Sequence, residues 1–133
     1  TRSQQTWDIQ KKAIDEGSAF LVYLRDNNKI MVGAGLFQMS KHEGLYAVGA
    51  YDRNLFELPL GHVVQMNAIE YMLSKGIRWY KLGDRPYPKT EPAPSAKELS
   101  IGRFKEGFST HMFLRLQTTC PVLAAGENNE SID

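Results

Sequence analysis

Residues 58–64 have the composition of a helix start that could bind an anion. Pro59 suits the first turn of a helix, where its missing N–H leaves no hydrogen bond unmade. The unpaired N–H groups and the dipole at such a start attract phosphate or carboxylate groups, and Gly61 lets an anion approach the backbone closely. The sequence therefore gives four candidate cofactor-binding positions, Leu60, Gly61, His62 and Val63.

Other familiar patterns of catalytic and metal-binding residues do not occur in the sequence. Its three histidines, His42, His62 and His111, stand apart from one another and from any acidic pair at ligand spacing, so no metal site is predicted. Cys120 is the single cysteine, which excludes an internal disulfide and favours a reducing, cytoplasmic location. Neither a G-x-S-x-G nucleophile elbow nor a P-loop is found, which argues against serine hydrolases and kinases.

The composition is that of an ordinary globular domain. Hydrophobic residues make up 42% and aromatic residues 11% of the 133 residues, which suffices for a core and excludes a disordered chain. Lys and Arg number 16 against 15 Asp and Glu, so no overall charge attracts nucleic acid. No apolar run has the length of a membrane span. We expect one domain over residues 1–125, cut from a longer chain, and a mobile polar tail over 126–133.

The elements that must position the candidate residues follow from turn residues and apolar spacing. A helix is predicted over residues 4–16, before three strands at 18–25, 30–39 and 45–50 that form an antiparallel meander. The longest helix runs from Pro59 to Gly76, and a strand at 77–82 follows it. This β-α-β crossover predicts that the strands on either side are parallel.

The spacing of apolar residues in the longest helix predicts the face that it buries. Its main stripe is Val63, Met66, Ile69 and Leu73, and Val64, Ala68 and Met72 widen it.

A proline-rich loop over residues 84–95 leads to a second helix, which starts at a capping box at 95–98. A last strand is predicted at 111–116. The predicted fold class is α/β (α+β), with a mixed, mainly antiparallel sheet flanked by helices rather than a doubly wound sheet.

Two motifs, in this order along the chain, resemble the acyltransferase domain of the FemAB family, which belongs to the GNAT fold superfamily. They read Tyr80-Lys81-Leu82-Gly83 and, farther along, Phe104-Lys105-x-x-Phe108. The resemblance covers residues 18–117, most of the chain, and it implies a GNAT-like sheet flanked by helices. FemAB proteins carry tandem copies of this fold, so the resemblance also implies a second GNAT-like lobe or a homodimer.

The resemblance implies acyl or aminoacyl transfer to an amine acceptor, either a small molecule or a cell-envelope precursor. The donor would be an acyl-CoA such as acetyl-CoA, or an aminoacyl-tRNA. Carried over to this sequence, Lys105 would neutralise charge in the transition state, and Asp84 would act as a base or anchor the amine. The substrate-binding residues would be Phe104, Tyr51, His62 and Tyr80.

Other interpretations of the same residues remain open. The pyrophosphate loop of acetyl-CoA-dependent GNAT enzymes, Arg/Gln-x-x-Gly-x-Gly/Ala, is replaced by residues 58–62, whereas FemAB-like enzymes that use aminoacyl-tRNA do not need it. The alternatives are an acetyl-CoA-dependent N-acetyltransferase acting on a small molecule or sugar, and a catalytically silent domain that binds a ligand or a partner. The residues also have structural interpretations: Lys105 as a solvated helix residue, Phe104 as core and Asp84 as a turn residue.

Overall fold

The computed structural model describes residues 3–89, 91–114 and 118. Its elements are α1 (Gln4–Asp15), β1 (Ala19–Arg25), β2 (Met31–Met39), β3 (Glu43–Tyr51), a 3-10 turn (Arg53–Leu55), α2 (Leu60–Ser74), β4 (Trp79–Lys81) and α3 (Ala96–Glu106). The predicted order of helices and strands is confirmed as far as α3. Cys120 and the predicted tail at 126–133 lie outside the described residues.

The four strands form one sheet in the order β1-β2-β3-β4. The first three pair antiparallel and β4 pairs parallel with β3, which confirms both the meander and the crossover through α2. Local chemistry sets the first turn, where the Asp26 carboxylate accepts hydrogen bonds from the N–H groups of Asn28 and Ile30 at 2.9 and 2.8 Å. The predicted class, a mixed and mainly antiparallel sheet flanked by helices, is confirmed.

The core lies between α2 and one face of the sheet. Its buried side chains are Phe37, Val64, Ala68, Met72 and Ile77. Gly35 allows the close approach, because a Cβ at this position would lie 2.7 Å from Cγ1 of Val64. A glycine in the middle of β2 therefore serves the packing of α2 on the sheet.

The predicted buried face of α2 is wrong in part. Val63, Met66 and Leu73 are 41%, 49% and 67% exposed, so the main stripe faces outward at three of its four positions. The three positions predicted to widen the stripe, Val64, Ala68 and Met72, are buried, and so is Gln65. The helix carries apolar residues on more than one side, and apolar spacing then fits two faces equally well. Contact with the sheet selects the face.

The start of α3 follows the predicted capping box. The Ser95 hydroxyl and N–H both donate to the Glu98 carboxylate, and the Glu98 N–H donates back to the Ser95 hydroxyl oxygen. These hydrogen bonds, chiefly the one from the side chain of Ser95, lower the pKa of Glu98. Farther along α3, Gly102 is buried against the preceding loop, where a Cβ would lie 3.3 Å from Cδ of Pro86.

The strand predicted at 111–116 is not formed over residues 111–114, and residues 115 and 116 lie outside the described part. The Ser109 hydroxyl donates to the carbonyl of His111 at 2.9 Å, a local bond that competes with pairing in a sheet. The His111 and Phe113 rings lie near Trp79, at 6.1 and 6.4 Å between centroids. Side-chain contacts thus hold this segment near β4.

None of the helices within the described ranges is long and apolar enough to cross a lipid bilayer.

Candidate active site

The two parallel strands pair over only part of their length. β4 pairs with β3 at three positions, Glu43 with Trp79, Gly44 with Tyr80 and Leu45 with Lys81. β3 continues to Tyr51, while β4 ends at Lys81. The remaining edge of β3 has no partner strand among the described residues. This leaves a gap between the strands, called here the β3–β4 opening.

The first turn of α2 lies beside the end of β3. A Cβ added at Gly61 would stand 3.6 Å from Cζ of Tyr51. No side chain caps this helix start, and its N-cap residue is Pro59. The N–H groups of Leu60 and Val63 donate to backbone carbonyls at 2.8 and 3.0 Å.

Two N–H groups of the same turn remain available. The described residues offer no acceptor to the N–H groups of Gly61 and His62. Two of the four candidate cofactor-binding positions therefore keep a free donor at the positive end of the helix dipole.

Helix α3 brings the second sequence motif to this helix start. The Phe104 ring lies on Gly61, where a Cβ would be 3.1 Å from Cζ of Phe104. The His62 ring contacts Phe104 and Phe108, at centroid distances of 5.2 and 5.5 Å. Phe104 lies in the last turn of α3 and Phe108 lies in the turn that follows it, and both rings pack against His62 in the first turn of α2.

Lys105 reaches the end of the first motif. Its Nζ lies 3.1 Å from the position that a Cβ at Gly83 would occupy, and Gly83 has a φ of +88°. A side chain at Gly83 would be strained and would crowd the amine. Among the described residues no carboxylate forms an ion pair with Lys105, and the neighbouring Glu106 pairs with Arg85 at 3.0 Å.

Most of the residues predicted for the site therefore lie near one another. Contacts join Tyr51, Gly61, His62 and Phe104, and Lys105 reaches the loop after β4. Asp84 follows Gly83 directly and is exposed.

The described structure is similar to those of known acetyltransferases, although no family model and no curated protein matches the sequence. An acetyltransferase of Trypanosoma brucei aligns with a TM-score of 0.58 at 17% identity, over 88% of this chain and 76% of that one. An aminoglycoside N-acetyltransferase in complex with CoA aligns with a TM-score of 0.52 at 8% identity, over 88% of this chain and 93% of that one.

A mutant of a Bacillus halodurans protein gives a TM-score of 0.63 at 9% identity, over 92% of this chain and 76% of that one. The chain has the GNAT fold. At these identities the likeness concerns the fold, and the resemblance to FemAB proteins depends on the two sequence motifs alone.

Four polar side chains lie in two hydrogen-bonded pairs at the β3–β4 opening of this GNAT fold. They are Tyr46, Tyr51, Tyr80 and Gln65, called here the tyrosine–glutamine cluster. The hydroxyls of Tyr46 and Tyr51 lie 3.2 Å apart, and the Tyr80 hydroxyl donates to Oε1 of Gln65. The three tyrosines are partly buried, and Gln65 is completely buried.

Two of the tyrosines are held in their neutral form. Burial is the largest cause that raises the pKa of Tyr51, and the hydrogen bond with Tyr46 adds to it. Burial also raises the pKa of Tyr80, although the hydrogen bond to Gln65 lowers it in part. Both hydroxyls therefore stay protonated, as hydrogen-bond donors, well above neutral pH.

The same shifts predict a loss of stability in alkali. A tyrosine with a raised pKa in the folded state contributes full stability below pH 10, its unfolded pKa, and loses it as the pH rises further. Each tyrosine contributes a slope of at most about 1.4 kcal/mol per pH unit, reduced here because both rings keep contact with solvent. Urea unfolding at pH 8, 10 and 11 measures the slope.

Tyr51→Phe and Tyr80→Phe are each expected to flatten this alkaline slope. The matched control is Tyr23→Phe, since Tyr23 is 49% exposed on β1 and lies outside the cluster. A slope that is the same in all three variants and the parent would contradict the assignment.

Tyr46 and Gln65 are the members of the site that the sequence did not indicate, and Gln65 is the completely buried one. It lies one turn after Gly61 on the same helix face, and glutamine there looks like a surface residue when Val63 and Met66 are taken as buried. The spacing could have indicated that Gln65 is buried. It directly follows Val64, lies three residues before Ala68, and is four residues, about one helical turn, after Gly61.

Within the described ranges, no group of three or more His, Cys, Asp or Glu side chains could hold a metal ion.

Proposed function

We propose that this chain transfers an acyl group from an acyl-CoA donor to an amine acceptor. The observation that carries the proposal is the β3–β4 opening, with the free N–H groups of Gly61 and His62 on one side and Lys105 on another. The GNAT fold of an aminoglycoside N-acetyltransferase described in complex with CoA supports this donor. The acceptor is the amine of a small molecule or of a cell-envelope precursor.

The chemistry assigns a role to each part of the opening. The amine nitrogen attacks the thioester carbonyl, a C–N bond forms, and the C–S bond breaks. The attacking amine loses one proton and the departing thiolate gains one. Asp84 takes the proton from the amine or anchors it, while Lys105 stabilises the negative charge that develops.

Binding groups hold the donor while this happens. The N–H groups of Gly61 and His62 bind a donor phosphate, as helix starts commonly do. The ring of Phe104 forms a wall of the donor site against Gly61, and Tyr51, His62 and Tyr80 line the cleft. Such fixed positioning supplies much of the rate gain in group transfer.

A second candidate is aminoacyl transfer of the FemAB type, with aminoacyl-tRNA as the donor. Two observations favour it: the motif at residues 104–108 lies at the opening, and the Phe104 ring covers Gly61, at the place where a pyrophosphate loop would run. This donor would also explain why that loop is absent from the sequence.

Calorimetric titration with acetyl-CoA and, separately, with coenzyme A tests the donor. We expect saturable binding of both. If neither binds, the acyl-CoA donor is excluded, and the same titration with aminoacyl-tRNA then separates FemAB-type transfer from a silent ligand-binding domain.

Gly61→Val is expected to weaken acetyl-CoA binding about tenfold, or roughly 1.4 kcal/mol. The new side chain would contact the rings of Phe104 and Tyr51 and fill the space beside the free N–H groups. Calorimetry measures the change. Met66→Phe is the matched control, since it adds bulk to the outer face of the same helix at a residue that is 49% exposed. Equal affinities in both variants would exclude donor binding at this helix start.

A further inference from the structure

The side-chain amide of Gln65 has an unused donor inside the protein. Gln65 is completely buried, and its Nε2 has no hydrogen-bond partner among the described residues. Burying an amide donor without an acceptor is costly, so nearly all buried donors in native proteins have one. An unpaired Nε2 at the β3–β4 opening therefore indicates a missing acceptor.

The tyrosine–glutamine cluster as a whole is rich in donors. Its three hydroxyls and one amide carry five hydrogens that can be donated. The hydrogen bonds within the cluster use two of them, one between Tyr46 and Tyr51 and one from Tyr80 to Gln65. Three hydrogens remain, two of them on the buried Nε2 of Gln65, and a carbonyl oxygen is an acceptor that suits this amide.

The donors remain available at the pH of a transfer reaction. Burial raises the pKa of both Tyr51 and Tyr80, so their hydroxyls stay protonated. The three tyrosines are partly exposed and form the outer side of the cluster, while Gln65 forms its inner end. Because Gln65 is completely buried, an oxygen can reach Nε2 only if one of these rings moves aside.

We propose that the tyrosine–glutamine cluster binds the carbonyl oxygen of the transferred acyl group, an inference that rests on the proposed function. When the amine attacks, this oxygen gains negative charge, and the charge returns to the C=O bond when the C–S bond breaks. Neutral N–H and O–H donors that are already in place stabilise such an oxygen. Gln65 touches the substrate, and Tyr80 acts through Gln65 as a positioning residue.

Titration with acetyl-CoA and coenzyme A tests this directly, because only acetyl-CoA carries the carbonyl oxygen. The parent protein is expected to bind acetyl-CoA roughly tenfold more tightly than coenzyme A, the effect of one good hydrogen bond. Gln65→Leu is expected to remove this preference and to leave the affinity for coenzyme A unchanged. Tyr51→Phe, which preserves the ring, gives a second test if Gln65→Leu does not fold.

The matched control is Asn67→Leu, which removes an amide that bonds to the carbonyl of Val63 on the exposed side of the same helix. It should retain the preference for acetyl-CoA. If the parent binds acetyl-CoA and coenzyme A with equal affinity, the inference about the cluster is wrong, but the acyl-CoA donor stands. The inference is also wrong if Gln65→Leu lowers both affinities equally. If the parent binds neither ligand, the acyl-CoA donor fails and the inference fails with it.

Discussion

Replacing Lys105 with alanine is expected to lower the rate of acyl transfer about 100- to 1000-fold, the usual effect of removing one group that stabilises developing charge. The amine lies beside Gly83, in the loop after β4, and no described carboxylate forms an ion pair with it. Its charge is therefore available to the opening. The rate of product formation, with whichever donor binds, measures the effect.

The melting temperature should hardly change in this variant. Lys105 makes no ion pair with a described residue, and an alanine suits a helix at least as well as lysine does. Lys97→Ala is the matched control, since Lys97 is an exposed lysine near the start of the same helix. Unchanged transfer, or a fall in melting temperature large enough to explain lost activity, would make Lys105 a structural residue.

The parts of the fold that could be predicted are those set by neighbouring residues. The capping box at Ser95 starts α3, and Gly17 and Gly76, with φ of +75° and +74°, end the helices before them. The Asp26 carboxylate holds the first turn of the sheet. Each of these interactions joins residues only a few positions apart, so the local sequence is enough to predict it.

The parts that could not be predicted depend on contacts between distant residues. Met66 and Leu73 are predicted to be buried but lie on the outward face of α2, and only packing on the sheet shows that the buried face centres on Val64 and Ala68. Residues 111–114 have the composition of a strand, yet they do not pair with the sheet. A local hydrogen bond and a ring contact with Trp79 hold them instead.

The candidate site shows the same division. The resemblance to FemAB proteins selected Phe104 and Lys105, but their distances from Gly61 and Gly83 follow only from the packing of α3 on α2 and on the loop after β4. Gln65 could not be predicted as a site residue, because its burial depends on which face of α2 packs on the sheet. The catalytic roles of Lys105 and Asp84 remain predictions.

Phe37→Ala is expected to reduce the free energy of unfolding by about 3–5 kcal/mol, as the loss of a fully buried aromatic ring does. Phe37 is completely buried on β2. Its ring lies between Phe20 of β1 and Tyr46 of β3, at centroid distances of 5.0 and 5.5 Å, so it joins three strands under α2. Urea unfolding measures the change, and Phe56→Ala, at a residue that is 75% exposed, is the control, expected to cost less than about 0.5 kcal/mol.

The same substitution connects the core to the site. The Phe37 ring also lies 6.3 Å from that of Tyr80, so it supports two of the three tyrosines of the tyrosine–glutamine cluster. The cavity left by alanine would loosen both rings, and the acetyl-CoA preference assigned to the cluster should fall even under conditions where the variant stays folded. A destabilised variant that kept the full preference would show that Tyr46 and Tyr80 hold their positions without Phe37, through their hydrogen bonds with Tyr51 and Gln65.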